Sequence, residues 1–394
     1  MFIPRKITKK FETLSKINSI TIIVGPRQSG KTTFLKQEAE KNKAVYLFFD
    51  DPDVKEIFDK DIKRFENQYL YNNKITVLDE IQYTKDPGKN LKYLADSGKR
   101  LWVTSSSEIL LNKNVISWLV GRASIIKLYP FSLEEFLIAK NYKELTETML
   151  ERAIYEHIQY GGYPKIVIEQ DILNKESLLK NLYETMILKD IAFIFDINNI
   201  SNLEKFAIYL SHYVGNLVQY NNICRDIEIS FQTLQKYFNA FEKSYIVTLI
   251  KPFYKNKISE ITKQPKLYFI DTGLRNAISN EFKLYAENKG KMFENYVFTE
   301  LLKLGLTIRY WRSKNNQEID FVVEKNNKQI PIEVKFKIND NAVIERSMKT
   351  FIEIYKPEIA FVVFLEGKED AKKLNNCIVK FTDIRKLETY LESL

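Results

Sequence analysis

The stretch "IIVGPRQSGKTT", residues 22–33, decides the fold of the N-terminal part of this chain. Within it, Gly25 to Thr32 match GxxxxGK[ST], the pattern of a phosphate-binding loop, after a predicted strand and before a predicted helix. The glycines let backbone N–H groups curl around phosphates, and the helix directs its positive end toward them. The stretch therefore predicts a nucleotide site at the end of a buried strand in an α/β domain.

This loop supplies most of the expected contacts to ATP. Lys31 is expected to reach the terminal phosphates, and Thr32 to offer its hydroxyl to Mg²⁺. The residues predicted to bind ATP are Gly25, Pro26, Arg27, Gln28, Ser29, Gly30, Lys31, Thr32, Thr33, Asp79 and Ser106.

Two acids at the end of "ITVLDE", residues 75–80, are expected to complete the nucleotide site. Asp79 would hold Mg²⁺ directly or through water, and Glu80 would polarise the attacking water as a catalytic residue. An ordinary surface position is the alternative for two carboxylates at a strand end.

Two further candidates follow later strands. Ser106, at the end of "LWVTSSS", is a candidate for orienting the water or sensing the γ-phosphate, although a serine cluster is also a common loop. Arg122, in "LVGRAS", is a candidate arginine finger that acts on nucleotide, and an exposed arginine is the alternative.

Alternating strand and helix runs predict a mostly parallel sheet between residues 19 and 130. The strand runs are "SITIIV", "KAVYLFF", "KITVLD", "RLWVTS" and "SIIKLY". We assign residues 1–135 to this core and residues 136–200 to a helical lid, with a turn at "YGGYP", residues 160–164, where two glycines and a proline meet.

Residues 201–285 are predicted to form a winged-helix domain, because three helical runs precede the strand-like "YIVTLIKPFY". In "SFQTLQKYFNAFEK", Leu234, Phe238 and Phe241 share one helix face, and Ser230 is the expected N-cap. The opposite, polar face either reads a DNA groove or is simply solvated. Its residues are Gln232, Gln235, Lys236 and Asn239.

The last predicted domain, residues 286–394, begins with the helix "GKMFENYVFTELLKLG" and continues with strands. If Asn326-Asn327 forms a two-residue turn within "EIDFVVEKNNKQIPIEVKFK", residues 318–337, Asp320 lies opposite Glu333. Lys335 then follows on the face of Glu333. Opposed carboxylates about 4.5–5.5 Å apart repel each other, and a divalent cation between them would remove that cost.

This arrangement is what a metal-dependent nuclease needs. Asp320 and Glu333 would bind Mg²⁺ or Mn²⁺, and Lys335 would position water or steady the phosphate. Two alternatives stay open: Pro331 could place the second strand at an edge or shift its register, and acids alternating with lysine also occur on plain solvated strands.

Composition sets few further limits. The chain has 394 residues, 45% of them hydrophobic, and a net charge of +9 from 60 basic and 51 acidic residues, so several cores are possible. The positive charge permits a nucleic-acid partner, or it reflects the composition of an AT-rich genome. Cys224 and Cys377 cannot form a disulfide framework, and no signal peptide or long apolar run is evident, so we expect a cytoplasmic protein that does not enter membranes.

Motifs along nearly the whole chain resemble those of archaeal and bacterial AAA-superfamily ATPases fused to a C-terminal domain of unknown function. They include "GPRQSGKTT", "VLDEIQ", "GRASIIKLYPFSLEEF", "GGYP", "KLYFIDTGLRNAI", "KMFENYVFTEL" and "EIDFVV…IPIEVK". The resemblance implies a five-stranded ATPase core with a lid, a winged helix and a restriction-endonuclease-like domain of the PD-(D/E)xK type. It also implies that Arg122 acts across a subunit interface, that Ser106 takes the sensor position, and that Glu294 is a further metal ligand.

The leading hypothesis is a Mg²⁺-dependent ATPase that binds ATP and ADP, forms homo-oligomers and acts on DNA through its last two domains. The alternative is a nucleotide-regulated switch or scaffold whose nuclease-like domain only binds DNA or a protein. The two hypotheses part at Asp320 and Glu333, which only a nuclease requires.

Overall fold

The computed structural model describes residues 2–71, 73–106, 117–142, 146–254, 263–339 and 342–394. They form two compact units. The first comprises Met1–Ala139, Tyr163–Lys165 and Lys243–Tyr245, and the second comprises Lys140–Gly162, Ile166–Glu242 and Ile246–Leu394. The finer boundaries at residues 135, 200 and 285 stay predictions.

A five-stranded parallel sheet forms the centre of the first unit. Its strands are β1 (Ile20–Val24), β2 (Val45–Phe48), β3 (Ile75–Asp79), β4 (Arg100–Ser105) and β5 (Ala123–Lys127). Their order is β2-β3-β4-β1-β5, and each neighbouring pair is parallel. The five predicted strand runs are therefore confirmed. Because β1, β3 and β4 are neighbours, the residues that follow their carboxyl ends gather at one edge of the sheet.

Helices cover this sheet. Those of the first unit span Thr8–Ile17, Lys31–Asn42, Pro52–Lys60, Ile62–Phe65, Pro87–Asp96 and Leu133–Ala139, with a 3₁₀ turn at Ile81–Tyr83 and a π-helical turn at Glu66–Leu70. The ring of Phe11 packs edge-on against Phe34 and Trp102, with centroids 5.2 and 4.9 Å apart. This contact fixes the helix that follows the phosphate loop against the sheet.

The second unit begins with helices in the region predicted as a lid. They span Glu147–Tyr160, Pro164–Ile168, Ile172–Glu184 and Ala192–Ile194, with a π-helical turn at Thr185–Ile191. The predicted turn at "YGGYP" is confirmed, since one helix ends at Tyr160 and the next begins at Pro164. A Cβ on Gly161, whose φ is 73°, would lie 2.1 Å from Asp271 Oδ1, so this position requires glycine.

Three helices and a pair of strands follow. The helices span Ile200–Ser211, Tyr220–Asp226 and Phe231–Lys243, and the antiparallel strands are β6 (Val247–Ile250) and β7 (Lys266–Phe269). Part of the connection between β6 and β7, residues 255–262, lies outside the described residues. Helix Thr272–Ser279 comes next, capped by Asp271, whose Oδ1 accepts a hydrogen bond of 2.9 Å from Leu274 N.

A six-stranded mixed sheet dominates the C-terminal part of this unit. Its strands are β8 (Thr307–Arg312), β9 (Glu318–Lys325), β10 (Lys328–Lys337), β11 (Ile359–Glu366), β12 (Asp370–Leu374) and β13 (Cys377–Asp383), in the order β12-β13-β11-β10-β9-β8. Helices Lys289–Lys303, Arg346–Tyr355 and Ile384–Glu392 accompany it. Strands β12 and β13 were missed by the sequence analysis, although "NN" at residues 375–376 between two strand runs is a turn signal.

No helix in the parts of the chain that the structure describes is long and apolar enough to cross a membrane.

Candidate functional site

The phosphate loop connects β1 to helix Lys31–Asn42, as predicted. At its start, a Cβ on Gly25 would lie 2.1 Å from Leu128 O, so only glycine fits there. At its end, Lys31 is 3% exposed, and its Nζ donates hydrogen bonds of 2.9 and 2.8 Å to the carbonyl oxygens of Gly25 and Pro26. The ammonium therefore lies inside the curl of the loop.

One atom of this loop fits an anionic ligand especially well. The side chain of Ser29 is fully buried, and its Oγ has no hydrogen-bond partner within the described ranges. Buried polar atoms are normally satisfied, so an orphaned hydroxyl beside a buried lysine is a good indication of a missing ligand. The donor set of loop N–H groups, hydroxyl and ammonium suits phosphate oxygens.

A buried carboxylate lies beside the loop. Asp79, at the end of β3, is fully buried, and its Oδ1 lies 3.4 Å from Thr32 Oγ1. Tyr46 donates a hydrogen bond of 2.6 Å to Asp79 Oδ2, and Thr104 donates a further one to Oδ1. Burial and the Asp79 carboxylate raise the pKa of the Tyr46 phenol, which keeps it a donor. A converging hydroxyl and carboxylate are ligands that suit Mg²⁺.

Glu80 and Ser106 are brought together by a residue that the sequence analysis did not single out. The side-chain amide of Gln82 donates to Glu80 Oε2 and, at 2.9 Å, to Ser106 Oγ. Glu80 has a φ of 59°, a left-handed conformation that is costly for a residue other than glycine. Its N–H donates a hydrogen bond of 2.8 Å to Thr104 Oγ1, which helps to hold that conformation.

Arg122 lies at the other end of the sheet. Its carbonyl oxygen accepts a hydrogen bond from Ile20 N, at the first residue of β1, whereas the phosphate loop follows the last residue of β1. Five strand residues rise by about 16 Å, more than an arginine side chain spans. Its guanidinium is bound instead to Asp96, with Nε 2.6 Å from Oδ1. Arg122 therefore cannot reach the nucleotide loop of its own subunit.

The residues that the sequence analysis missed in this site are Tyr46, Gln82 and Thr104. Thr104 stands in "LWVTSSS" and Gln82 in "VLDEIQ", both of which were noted as motifs, so their position after buried strands was an available signal. Tyr46 gave no such signal, because it reaches Asp79 only through the pairing of β2 with β3.

The predicted hairpin register in the second unit is confirmed. Strands β9 and β10 pair from Lys325↔Lys328 to Phe321↔Ile332. Both turn residues, Asn326 and Asn327, have positive φ, as a two-residue hairpin turn requires. Two residues beyond the last pair, Val334 N donates a hydrogen bond of 2.8 Å to Asp320 Oδ2.

Pro331 does not place β10 at an edge. The strand lies between β9 and β11, and its parallel pairing with β11 begins at the next residue, Ile332. The proline thus sits where pairing on that side has not yet started, and the register does not slip.

Glu333 is buried next to a small pocket. It is 4% exposed, its Oε1 lies 2.9 Å from Lys335 Nζ, and its Oε2 has no hydrogen-bond partner among the described residues. Burial raises the pKa of the Glu333 carboxyl to about 8, and the Lys335 ammonium offsets only part of that rise. The pocket has a volume of about 200 Å³ and is also lined by Glu345, whose Oε1 lies 2.7 Å from Lys335 Nζ.

Asp320 and Glu294 lie near two lysines, the buried Lys266 and the exposed Lys291. Burial and the neighbouring Glu294 carboxylate raise the pKa of Asp320 to about 7. Glu294 is itself held by Lys266 Nζ at 3.4 Å, Lys291 Nζ at 2.7 Å and the Tyr268 hydroxyl at 2.5 Å. Although burial opposes ionisation, the two ammonium groups lower the pKa of Glu294. This acid is therefore already neutralised by side chains.

Lys266 also pairs with the first residue of β9. This lysine lies in β7, is 1% exposed and forms a further ion pair with Glu318. Within the described ranges, no group of three or more His, Cys, Asp or Glu side chains is close enough to hold a metal ion. Asp320 and Glu333 thus offer a pair of carboxylates, and Glu294 does not join them as a third.

The predicted DNA-contact residues lie together on one exposed helix face. In helix Phe231–Lys243 the buried side chains include Leu234, Phe238 and Phe241, as expected. Ser230 Oγ accepts a hydrogen bond of 3.1 Å from Thr233 N, which agrees with its predicted N-cap role. The exposed residues are Gln232, Gln235, Lys236 and Asn239. The Lys236 ammonium donates a hydrogen bond of 2.5 Å to the backbone carbonyl of Asp196, which orients this side chain and leaves its positive charge in place.

Three domain families match consecutive parts of the chain. An AAA domain family matches residues 17–137, a domain of unknown function (DUF8612) matches residues 151–285, and another domain of unknown function (DUF4143) matches residues 289–386.

Two relatives with similar sequences are described as uncharacterized proteins. One, from Methanocaldococcus jannaschii, is 28% identical over 85% of this chain and 78% of its own length. Another, from Haemophilus influenzae, is 27% identical over 82% of this chain and 84% of its own length. Among solved structures, the Walker-type ATPase of Pyrococcus abyssi is 15% identical, with a TM-score of 0.46 over 70% of this chain and 96% of its own.

The AAA match covers the phosphate loop, the buried Asp79 and the parallel sheet that brings them together. The expected resemblance is thereby confirmed in its coarser form. This chain carries a phosphate-loop domain that matches the AAA domain family over residues 17–137, followed by a domain that matches the DUF4143 family over residues 289–386.

Proposed function

We propose that this chain is an ATPase that binds Mg²⁺–ATP at the phosphate loop and acts on DNA through its second unit. In the nucleotide site, Lys31 and the loop N–H groups would neutralise phosphate charge, and Thr32 and Asp79 would hold Mg²⁺. Glu80, positioned by Gln82, would orient the attacking water. Lys31→Ala is expected to abolish ATP hydrolysis, and undiminished turnover in that variant would end the assignment of this loop.

DNA binding is proposed from the helices and strands of residues 200–269. Three helices followed by an antiparallel strand pair are typical of a winged helix, whose third helix enters a DNA groove. Its exposed amides, Gln232, Gln235 and Asn239, suit base edges. Binding to short duplexes should weaken as salt rises, because phosphate contacts release counterions.

Metal-dependent DNA cleavage at Asp320 and Glu333 is the proposed activity of the second unit. The observation that carries it is the buried Glu333 Oε2, which has no hydrogen-bond partner in the part of the chain that the structure describes and belongs to a residue that lines a pocket. A bound Mg²⁺ or Mn²⁺ would satisfy this oxygen and polarise a phosphodiester. Lys335, beside Glu333, would steady the negative charge that develops on the phosphate.

The direct test is incubation of the purified protein with supercoiled, linear and branched DNA in Mg²⁺ or Mn²⁺, with and without ATP. Cleavage that requires metal and disappears in Asp320→Ala would support the proposal. No cleavage of any substrate, with ATP hydrolysis intact, would refute it. Glu324→Gln is the control, since it changes an acid of the same strand as Asp320 that pairs with Arg309 at 3.0 Å and is not expected to bind metal.

A second candidate is a nucleotide-regulated switch that keeps this domain only for binding. The observation that favours it is the neutralisation of Glu294 by Lys266 and Lys291, which leaves two acids for a metal ion. Under this hypothesis Asp320→Ala would alter neither DNA binding nor any metal-dependent property, which separates it from the nuclease.

The ATPase is proposed to act as a homo-oligomer. Arg122 cannot reach its own phosphate loop, so an arginine finger at this position would have to act on the nucleotide of a neighbouring subunit.

A further inference from the structure

We propose that Arg5 is a positioning residue of the ATPase site, which holds the phosphate loop in its binding conformation from outside. This inference rests on the proposed binding of ATP at that loop. Arg5 Nη1 donates a hydrogen bond of 2.8 Å to the carbonyl oxygen of Ser29, inside the loop. The residue precedes the first helix and lies outside the loop motif.

The orientation of one peptide group explains how this contact would act. In a trans peptide, the carbonyl oxygen and the following N–H point in opposite directions. Arg5 holds the Ser29 carbonyl on the outer side of the loop, so the N–H of Gly30 points to the inner side, where phosphate oxygens are expected. A peptide flip would lose the bond to Arg5 and turn a carbonyl oxygen toward the phosphates.

Arg5 is itself fixed on all sides. Its Nε donates a hydrogen bond of 3.0 Å to Glu135 Oε1, and its Nη2 donates one of 2.6 Å to Tyr129 O. The guanidinium also lies 4.8 Å from the centre of the Phe131 ring. Arg5 and Glu135 are 7% and 5% exposed, so their ion pair is shielded from water. Movement of either side chain would leave a buried charge without its partner.

Three acceptors in different directions require a planar fork of donors. Glu135 belongs to helix Leu133–Ala139, which follows β5, and Tyr129 lies between them. One guanidinium therefore connects the loop after β1 to the chain after β5. A lysine keeps the charge, but its single ammonium cannot reach all three acceptors in this geometry.

A neighbouring pair provides a matched control. Lys6 Nζ lies 3.0 Å from Glu134 Oε2, so it joins the same two parts of the chain as Arg5 and Glu135, one residue away. The side chains of Lys6 and Glu134 are 26% and 65% exposed, and their ion pair includes no residue of the phosphate loop. Lys6→Ala thus removes a surface ion pair between these elements and leaves the Ser29 carbonyl in place.

The experiment compares Arg5→Lys, Arg5→Ala and Lys6→Ala by steady-state ATP hydrolysis and by direct binding of a fluorescent ATP analogue. We expect Arg5→Lys to raise KM and the analogue Kd by about tenfold, with kcat changed less than threefold, because the loop contacts phosphates in both ground and transition states. The KM, kcat and analogue Kd of Lys6→Ala should each stay within twofold of the values of the unmodified protein.

An unchanged KM and Kd in Arg5→Lys would overturn the inference, as would an equal loss in Lys6→Ala. Should Arg5→Ala fail to fold, Arg5→Lys still decides the question, with its circular dichroism spectrum as the check on folding. Failure of the underlying ATP assignment is recognised separately, because hydrolysis would then persist in Lys31→Ala whatever Arg5 does.

Discussion

Glu333→Gln should make the metal-free protein more stable at alkaline pH while removing its metal response. The carboxyl is buried, one of its oxygens has no hydrogen-bond partner among the residues that the structure describes, and its pKa rises from 4.5 to about 8 on folding. Between these two values the folded protein keeps a proton that the unfolded chain has released. Stability therefore falls as pH rises through this window, and it is lowest above pH 8.

The size of the effect follows from the pKa shift. At about 1.36 kcal/mol per pKa unit, a rise from 4.5 to about 8 corresponds to a ceiling of about 5 kcal/mol. Water that enters the adjoining pocket of about 200 Å³ would solvate the ionised carboxylate and reduce this penalty. We expect a gain of about 2 kcal/mol for Glu333→Gln at pH 9, and almost none at pH 5, where the carboxyl is protonated.

Thermal unfolding in the presence of a chelator, at pH 5, 7 and 9, measures this difference. A gain of about 2 kcal/mol corresponds to a rise of about 4–8 °C in the melting temperature of a domain of this size. Glu345→Gln is the comparison, because Glu345 interacts with both Lys335 and Glu333 but its side chain is 51% exposed. Its gain in melting temperature at alkaline pH should be smaller than that of Glu333→Gln, since the Glu333 carboxyl stays buried.

A second arm adds Mn²⁺ at pH 8. The unmodified protein should gain thermal stability, since the metal binds only the folded state, and Glu333→Gln should not. A difference between the two proteins that does not change with pH, or a variant that is less stable at pH 9, would refute the reasoning about Glu333. If the unmodified protein gains no thermal stability with Mn²⁺ while the pH effect of Glu333→Gln is intact, the result would instead count against the proposed nuclease.

Three further predictions concern other sites. Arg122→Ala and Lys31→Ala should each be inactive in ATP hydrolysis. Mixing the two variants should restore part of the activity, because one intact loop can then face one intact Arg122. A mixture as inactive as its components would argue against action across subunits. Lys266→Met should lower the free energy of unfolding by about 3 kcal/mol, since it leaves Glu294 buried with one cation fewer, and chemical denaturation would test this. Lys236→Gln should lower the slope of log affinity for duplex DNA against log salt by about one, and an unchanged slope would remove Lys236 from the proposed DNA surface.

Local patterns sufficed for much of the fold. The five strand runs of the first sheet, the "YGGYP" turn and the buried face of helix Phe231–Lys243 are all governed by the spacing of apolar residues and by turn residues. The β9–β10 register was predictable for the same reason, because a two-residue turn and a period of two leave only one pairing.

Longer-range contacts were not predictable in this way. Tyr46 and Thr104 reach Asp79 only because β2, β3 and β4 are neighbours, and Lys266 meets Glu294 only because β7 packs beside helix Lys289–Lys303. The burial of Glu333 likewise depends on the strands around β10.

The sequence by itself determined that this chain carries a phosphate loop at the end of a buried strand, and a hairpin that aligns Asp320 with Glu333. Only the tertiary structure decided that Arg122 lies away from its own loop, that lysines occupy the surroundings of Glu294, and that Arg5 holds the Ser29 carbonyl. The physical reason is that periodicity acts over a few residues, whereas Arg5 and Glu135 are 130 residues apart and meet only once the strand order is set.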